Sequence, residues 1–172
     1  MTAQATANTI NYPEGMDSSI DLSPYQSVPD LLGHSLKQYA DNPAFSCMGR
    51  TLTYGELDGM SADFAAYLQH HTDLQPGDRI AVQLPNILQY PVVVFGALRV
   101  GLVVVNTNPL YTEREMEHQF NDSGARLLVV YAGMADKAIR VKGKTPIEHI
   151  ICTEIADFHP TLKRLLINTV VK

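Results

Sequence analysis

The stretch Arg79–Val105 reads RIAVQLPNILQYPVVVFGALRVGLVVV, and it decides the fold. Arg79–Leu84 is a short apolar run of strand length that stops at Pro85. Asn86 can cap a helix over Ile87–Val100, which Gly101 ends. That helix is apolar nearly all round, which predicts burial, and Pro91 inside it predicts one lost hydrogen bond and a bent first turn. Leu102–Val105 is almost wholly apolar, the mark of a strand covered on both faces. A strand, a helix and a strand in so short a stretch call for a parallel pair joined by a crossover.

The same alternation continues downstream. Thr112 and Glu115 form a capping box, and Tyr111 and Met116 occupy the two positions of a hydrophobic staple. The helix they open ends at Ser123-Gly124. Leu127–Tyr131 is another buried strand, Ala132–Val141 a helix and Ile147–Cys152 a further strand. Leu162, Leu165, Leu166, Thr169 and Val170 make a helical stripe beside Lys163 and Arg164.

Upstream, Thr53 and Glu56 form a second capping box, with Leu52 and Leu57 as its staple and Leu57, Met60, Phe64 and Leu68 as the buried face. Ala44–Met48 and Thr51–Thr53 flank Gly49-Arg50 as a hairpin. A helix starting at Ser27, with Pro29 and Asp30 in its first turn, carries Val28, Leu31, Leu32, Leu36 and Tyr39 on one stripe and stops at Asp41-Asn42-Pro43. Residues 1–24 are polar and aperiodic, an extended or flexible arm. The fold expected is α/β, a mostly parallel sheet covered by helices on both faces. The stripe at 162–170 meets Lys172 with no stop signal, which predicts a chain cut from a longer one.

Composition narrows the function. A net charge of −5 with no basic block gives no general attraction to nucleic acid. Met1–Thr9 lacks a basic start and an apolar core, so no signal peptide is read, and Tyr90–Val105 is too short and too punctuated to span a bilayer. The reading is cytoplasmic. Cys47 and Cys152 sit in apolar runs as two small buried thiols, and the histidines show no metal spacing.

Ligands of parallel sheets sit beyond the carboxyl ends of the strands. Those ends are Pro85-Asn86, Asn106-Thr107-Asn108-Pro109 and Tyr131-Ala132-Gly133. Asn86, Asn108 and Tyr111 are the candidate substrate-binding residues there. A structural reading competes, with Asn86 as helix cap and Asn108-Pro109 as turn chemistry. Gly143-Lys144-Thr145 imitates the end of a phosphate loop, but Ala138 stands where the first glycine belongs and Pro146 follows at once. Ser46, Ser61 and Ser123 lack a nucleophile elbow. No catalytic residue and no metal ligand emerges.

Several stretches in fixed order carry a resemblance: Tyr12-Pro13-Glu14-Gly15, Asp41-Asn42-Pro43-Ala44-Phe45, Thr51–Leu57, Pro76–Val82 with Leu84-Pro85-Asn86, Gly96–Gly101, Asn106–Glu115 and Asn121–Ala125. Together they resemble the N-terminal region of adenylate-forming acyl-CoA synthetases, and most closely the bacterial long-chain fatty-acid–CoA ligases. The resemblance implies that residues 25–172 form the N-terminal part of the AMP-binding large domain, stopping before its phosphate loop. It implies a parent enzyme that uses ATP, Mg²⁺ and CoA to activate a long-chain fatty acid, with its catalytic residues beyond Lys172. This chain alone is then inactive and binds none of those cofactors tightly. The resemblance further implies homodimer contacts through residues 10–25 and peripheral contact with the inner face of a membrane. The alternative is a non-catalytic interaction or regulatory module derived from such a ligase. A flavodoxin-like nucleotide-binding domain would need a phosphate loop or an acidic phosphoacceptor at a strand end, and neither is found.

Overall fold

The computed structural model describes Pro13 and residues 23–170. The arm expected over 1–24 therefore lies outside the described residues except for Pro13, Ser23 and Pro24, and so does Lys172.

Helix α1 (Val28–Gln38) starts as expected. The Ser27 hydroxyl accepts the Asp30 N–H at 3.2 Å, and Pro29 stands in the first turn, where an N–H would lack an intrahelical partner. Its stripe is only partly used: Leu36 is buried and Leu32 half-buried, whereas Val28, Leu31 and Tyr39 are exposed. Strands β1 (Pro43–Cys47) and β2 (Arg50–Thr53) form the antiparallel hairpin. Met48 and Gly49 both adopt positive φ between them, the two-residue turn whose twist suits a hairpin.

Helix α2 (Tyr54–His71) opens on a complete capping box. Thr53 Oγ1 accepts the Glu56 N–H at 3.1 Å, and the Glu56 carboxylate accepts the Thr53 N–H at 2.9 Å. Leu52 and Leu57 are both fully buried, so the staple is closed. The second box, at Thr112, opens α4 (Glu113–Ser123) in the same way, and Gly124 ends that helix at φ 66°, where a side chain would be strained. Thr53→Ala and Thr112→Ala should each cost about 1 kcal/mol in urea denaturation. The N-cap backbone N–H, first of all, holds the Glu56 and Glu115 carboxyls below the usual carboxylate range. A carboxyl depressed on folding stabilises fully above its ordinary value and loses that contribution as pH falls through the lowered one. The difference between wild type and Glu56→Ala should therefore shrink in acid. Melting curves identical at neutral pH would mean that the caps contribute nothing.

Strands β3 (Arg79–Gln83), β4 (Val103–Asn106), β5 (Leu127–Tyr131) and β6 (His149–Thr153) form one parallel sheet in the order β4-β3-β5-β6. Helices α3 (Gln89–Arg99), α4 and α5 (Ala135–Lys142) lie in the connections. On one face Ile80, Val82, Leu127 and Val129 pack with Leu68 of α2 and Val93 and Ala97 of α3. On the other, Ala81, Leu128 and Val130 pack with Met116 and Phe120 of α4 and Ala138 and Val141 of α5. The helices thus cover both faces, as expected. Leu36, Leu52, Leu57, Leu88 and Val92 form a third cluster, which ties α1 and the hairpin to α2 and α3.

Five expectations are corrected. Asn86 caps no helix: α3 begins at Gln89, behind Leu88, with no side-chain cap. Ile87 is buried in the sheet-face cluster and Leu88 in the satellite cluster, and serving both keeps the chain out of helix until Gln89. Pro91 is then the third helical residue, where its missing N–H costs nothing. Strand β4 is an edge strand and is not covered on both faces, since Val103 is 49% exposed. The segment Ala132–Val141 divides into a 3₁₀ turn (Ala132–Met134) and α5. Finally, Cys152 is exposed on the outer strand β6, not buried.

Helix α6 (Thr161–Val170) forms where the stripe predicted it. Its apolar side chains face outward, with Leu162 84% and Leu165 68% exposed. Polar contacts hold it: Asn168 Oδ1 accepts the Ala156 N–H at 3.2 Å, and Arg164 pairs with Asp157 at 2.9 Å.

Candidate functional site

The strand order reverses direction between β3 and β5: the chain leaves β3 for one side and returns past it to the other. In open α/β sheets this switch point, at the carboxyl ends, is where ligands bind. Gln83 ends β3 there, fully buried, and its Nε2 donates to the Asn108 carbonyl oxygen at 3.1 Å. The Thr107 N–H donates to the Val82 carbonyl at 3.0 Å and continues the ladder past β4. On the β5 side the Tyr131 ring lies over Gly133, where an added Cβ would fall 2.5 Å from Tyr131 Cε1.

The three sequence candidates have separate fates. Asn86 is exposed in the bend after β3, and its carbonyl oxygen takes a long contact of 3.8 Å from Cys47 Sγ. Asn108 organises its own turn: Oδ1 accepts the Leu110 N–H at 2.9 Å and the carbonyl accepts the Tyr111 N–H at 3.1 Å. Tyr111 is half-buried, packs on the Met116 and Phe120 cluster, and lines a shallow cleft with Thr112, Glu115, His118 and Gln119. Asn108 and Tyr111 therefore share one loop, and Asn86 stands on another.

Sequence reasoning missed Gln83 and Gln89. Gln89 is also buried, and its Nε2 donates to the Glu154 carbonyl at 2.7 Å, tying α3 to the loop after β6. A glutamine closing an apolar strand run is a usable signal, because a buried amide needs a partner. The Tyr90 hydroxyl adds a bond of 2.8 Å to Asn106 Oδ1. These amides and the phenol offer hydrogen-bond donors and acceptors that can orient a ligand.

The strongest charge cluster lies at the opposite edge of the sheet, the amino ends. Arg126 meets Glu148 at 2.6 Å, Asp78 at 2.7 Å and Asp73 at 2.8 Å, and these carboxylates hold its guanidinium above its ordinary range. The Asp73 carboxyl lies below the usual range chiefly because Arg126 donates to it, and that of Asp78 chiefly through the Gln75 backbone N–H. Asp73, Glu148 and His149 bring ligand atoms within 4.8 Å of one another. The guanidinium already satisfies both carboxylates, so the group does not fit a divalent cation.

The sequence pattern of the AMP-binding enzyme family matches residues 32–171. The chain is 47% identical over 161 residues to the long-chain-fatty-acid–CoA ligase of Escherichia coli O157:H7, covering 94% of this chain and 29% of that one. It is 34% identical to the ligase of the same name from Bacillus subtilis strain 168, covering 90% of this chain and 27% of that one. The chain thus spans less than a third of the length of these relatives. Among solved structures, VinN superposes with a TM-score of 0.66 at 30% identity, over 84% of this chain and 35% of that one. A long-chain-fatty-acid–CoA ligase from Archaeoglobus fulgidus gives 0.66 at 22% identity, over 73% and 27%, a likeness of fold.

Proposed function

Because the chain belongs to the AMP-binding enzyme family, we propose that it is the N-terminal part of the large domain of a long-chain fatty-acid–CoA ligase. The observation that carries this reading is the identity to the Escherichia coli O157:H7 ligase along nearly the whole chain. In the proposed reaction a fatty-acid carboxylate attacks the α-phosphorus of ATP and releases pyrophosphate, giving an acyl-adenylate. The CoA thiol then takes the acyl group and AMP leaves. Activation is needed because a carboxylate oxygen is a poor leaving group until phosphorylated, and donors must hold the charge that develops.

Within that enzyme this segment supplies scaffold and the strand-end loops. Tyr111 and Asn108 are its substrate-facing candidates, and Asn86 is the weaker third. The reaction calls for Mg²⁺, and the one described cluster with ligand spacing is already filled by Arg126, so no step is assigned to a metal held by this segment. Homodimer contacts through residues 10–25 belong to the same proposal and fall largely outside the described residues. No described helix is long and apolar enough to cross a membrane. Peripheral contact with the inner membrane face, where a long-chain acid partitions, would use the outward stripe of α6 with Lys163 and Arg164; packing of that stripe on the rest of the enzyme is the stronger reading. The protein acts in the cytoplasm and meets no nucleic acid.

The test is replacement of the matching segment in the Escherichia coli O157:H7 ligase by this chain. Palmitate-dependent ATP–pyrophosphate exchange should persist in the chimera and be absent from this chain alone. A folded chimera with no exchange would sink the reading, and so would exchange by the isolated chain.

A further inference from the structure

We propose that Gln83 and Gln119 are positioning residues that hold the end of β4 and the loop after it from two sides and so set where Tyr111 stands. The inference deepens the ligase reading and rests on it for its bearing on substrate.

Strand alternation puts Gln83 on the face of Ala81, the face that packs against α4. From there its Nε2 donates to the Asn108 carbonyl at 3.1 Å. Gln119 comes from the other side, on α4, and its Nε2 donates to the Asn106 carbonyl at 3.1 Å. Two amides from two elements thus grip carbonyls two residues apart. The Asn108 carbonyl also accepts the Tyr111 N–H, so the Gln83 clamp acts on the very turn that places Tyr111. Gln119 itself lines the cleft beside Tyr111.

Both clamps carry a penalty. The Oε1 atoms of Gln83 and Gln119 are buried and have no hydrogen-bond partner. Leucine would fill either place without that loss. A buried amide whose oxygen goes unmatched is explained by what its N–H holds, and both N–H groups hold one short segment.

Site-resolved amide hydrogen exchange on the chain tests this. In Gln83→Leu and in Gln119→Leu the Leu110 and Tyr111 amides should exchange about tenfold faster, while Val129 and Val130 in β5 stay as protected as in wild type. Gln83→Glu adds a readout that mere filling of space would not move. An ionised carboxylate cannot donate to Asn108 and a protonated one can, so loop protection, corrected for intrinsic rates, should return as pH falls. Gln119 is only half-buried, so its leucine variant keeps the fold even where a Gln83 variant does not. Unchanged protection of Leu110 and Tyr111 in folded Gln119→Leu overturns the clamp. A chimera without exchange activity overturns the ligase reading and leaves the clamp standing.

Discussion

Gly96→Leu should abolish cooperative folding of the chain. Helix α3 crosses α2 at this glycine, and a Cβ there would lie 2.8 Å from the Ser61 carbonyl oxygen and 2.8 Å from Phe64 Cδ1. The ring can turn, but the carbonyl belongs to the α2 backbone, so the helices must part. Parting them loosens Val93 and Ala97 from the sheet and breaks the Arg99 bonds to Ser61 and Asp58. Overpacking by a few methylenes costs about 1–3 kcal/mol, and leucine costs more than that against a total stability of about 5–15 kcal/mol. Gly96→Ala is the graded form: the clash is opposed by about 1 kcal/mol of helix propensity, and a net loss is still expected. Thermal melts followed by circular dichroism decide it. A Gly96→Ala variant that melts at or above wild type would mean the helices have room.

Phe120→Ala should cost about 3–5 kcal/mol, the range for deleting a buried aromatic side chain. Phe120 is fully buried and sits among Ala81, Leu128 and Val130, and it is the largest side chain holding α4 to the sheet. The neighbouring control is Glu117→Ala. Glu117 pairs with Lys144 at 3.7 Å on the surface, where such a pair is worth about 0–1 kcal/mol. Urea midpoints should therefore fall sharply for Phe120→Ala and hardly for Glu117→Ala. Equal shifts would contradict the placement of α4.

The features legible in the sequence were those whose energies are local. The capping boxes at Thr53 and Thr112 formed as expected, because each needs only residues three apart and a staple across one turn. Strand β5 matched its expected limits, Leu127–Tyr131, because a central parallel strand is apolar on both faces. Errors came where a distant contact outweighed a local preference. Asn86 has the right chemistry for a cap, but Ile87 and Leu88 are drawn into two different clusters. Val103–Val105 has the composition of a buried strand, yet the sheet order leaves β4 at its edge.

An α/β chain with strands near 80, 103, 128 and 149 follows from the residues in order, and so do the ordered motifs of the AMP-binding family. Periodicity, caps and turns act within a few residues, so one strand of text holds all their terms. Packing in three dimensions makes β3 and β5 neighbours, brings Gln83 to Asn108 twenty-five residues on, and gathers Asp73, Asp78 and Glu148 around Arg126. Those bonds join residues whose separation along the chain is unrelated to their distance in space. Burying apolar faces on both sides of the sheet brings them together, and a buried amide or guanidinium must then be satisfied by whichever groups the packing has placed beside it.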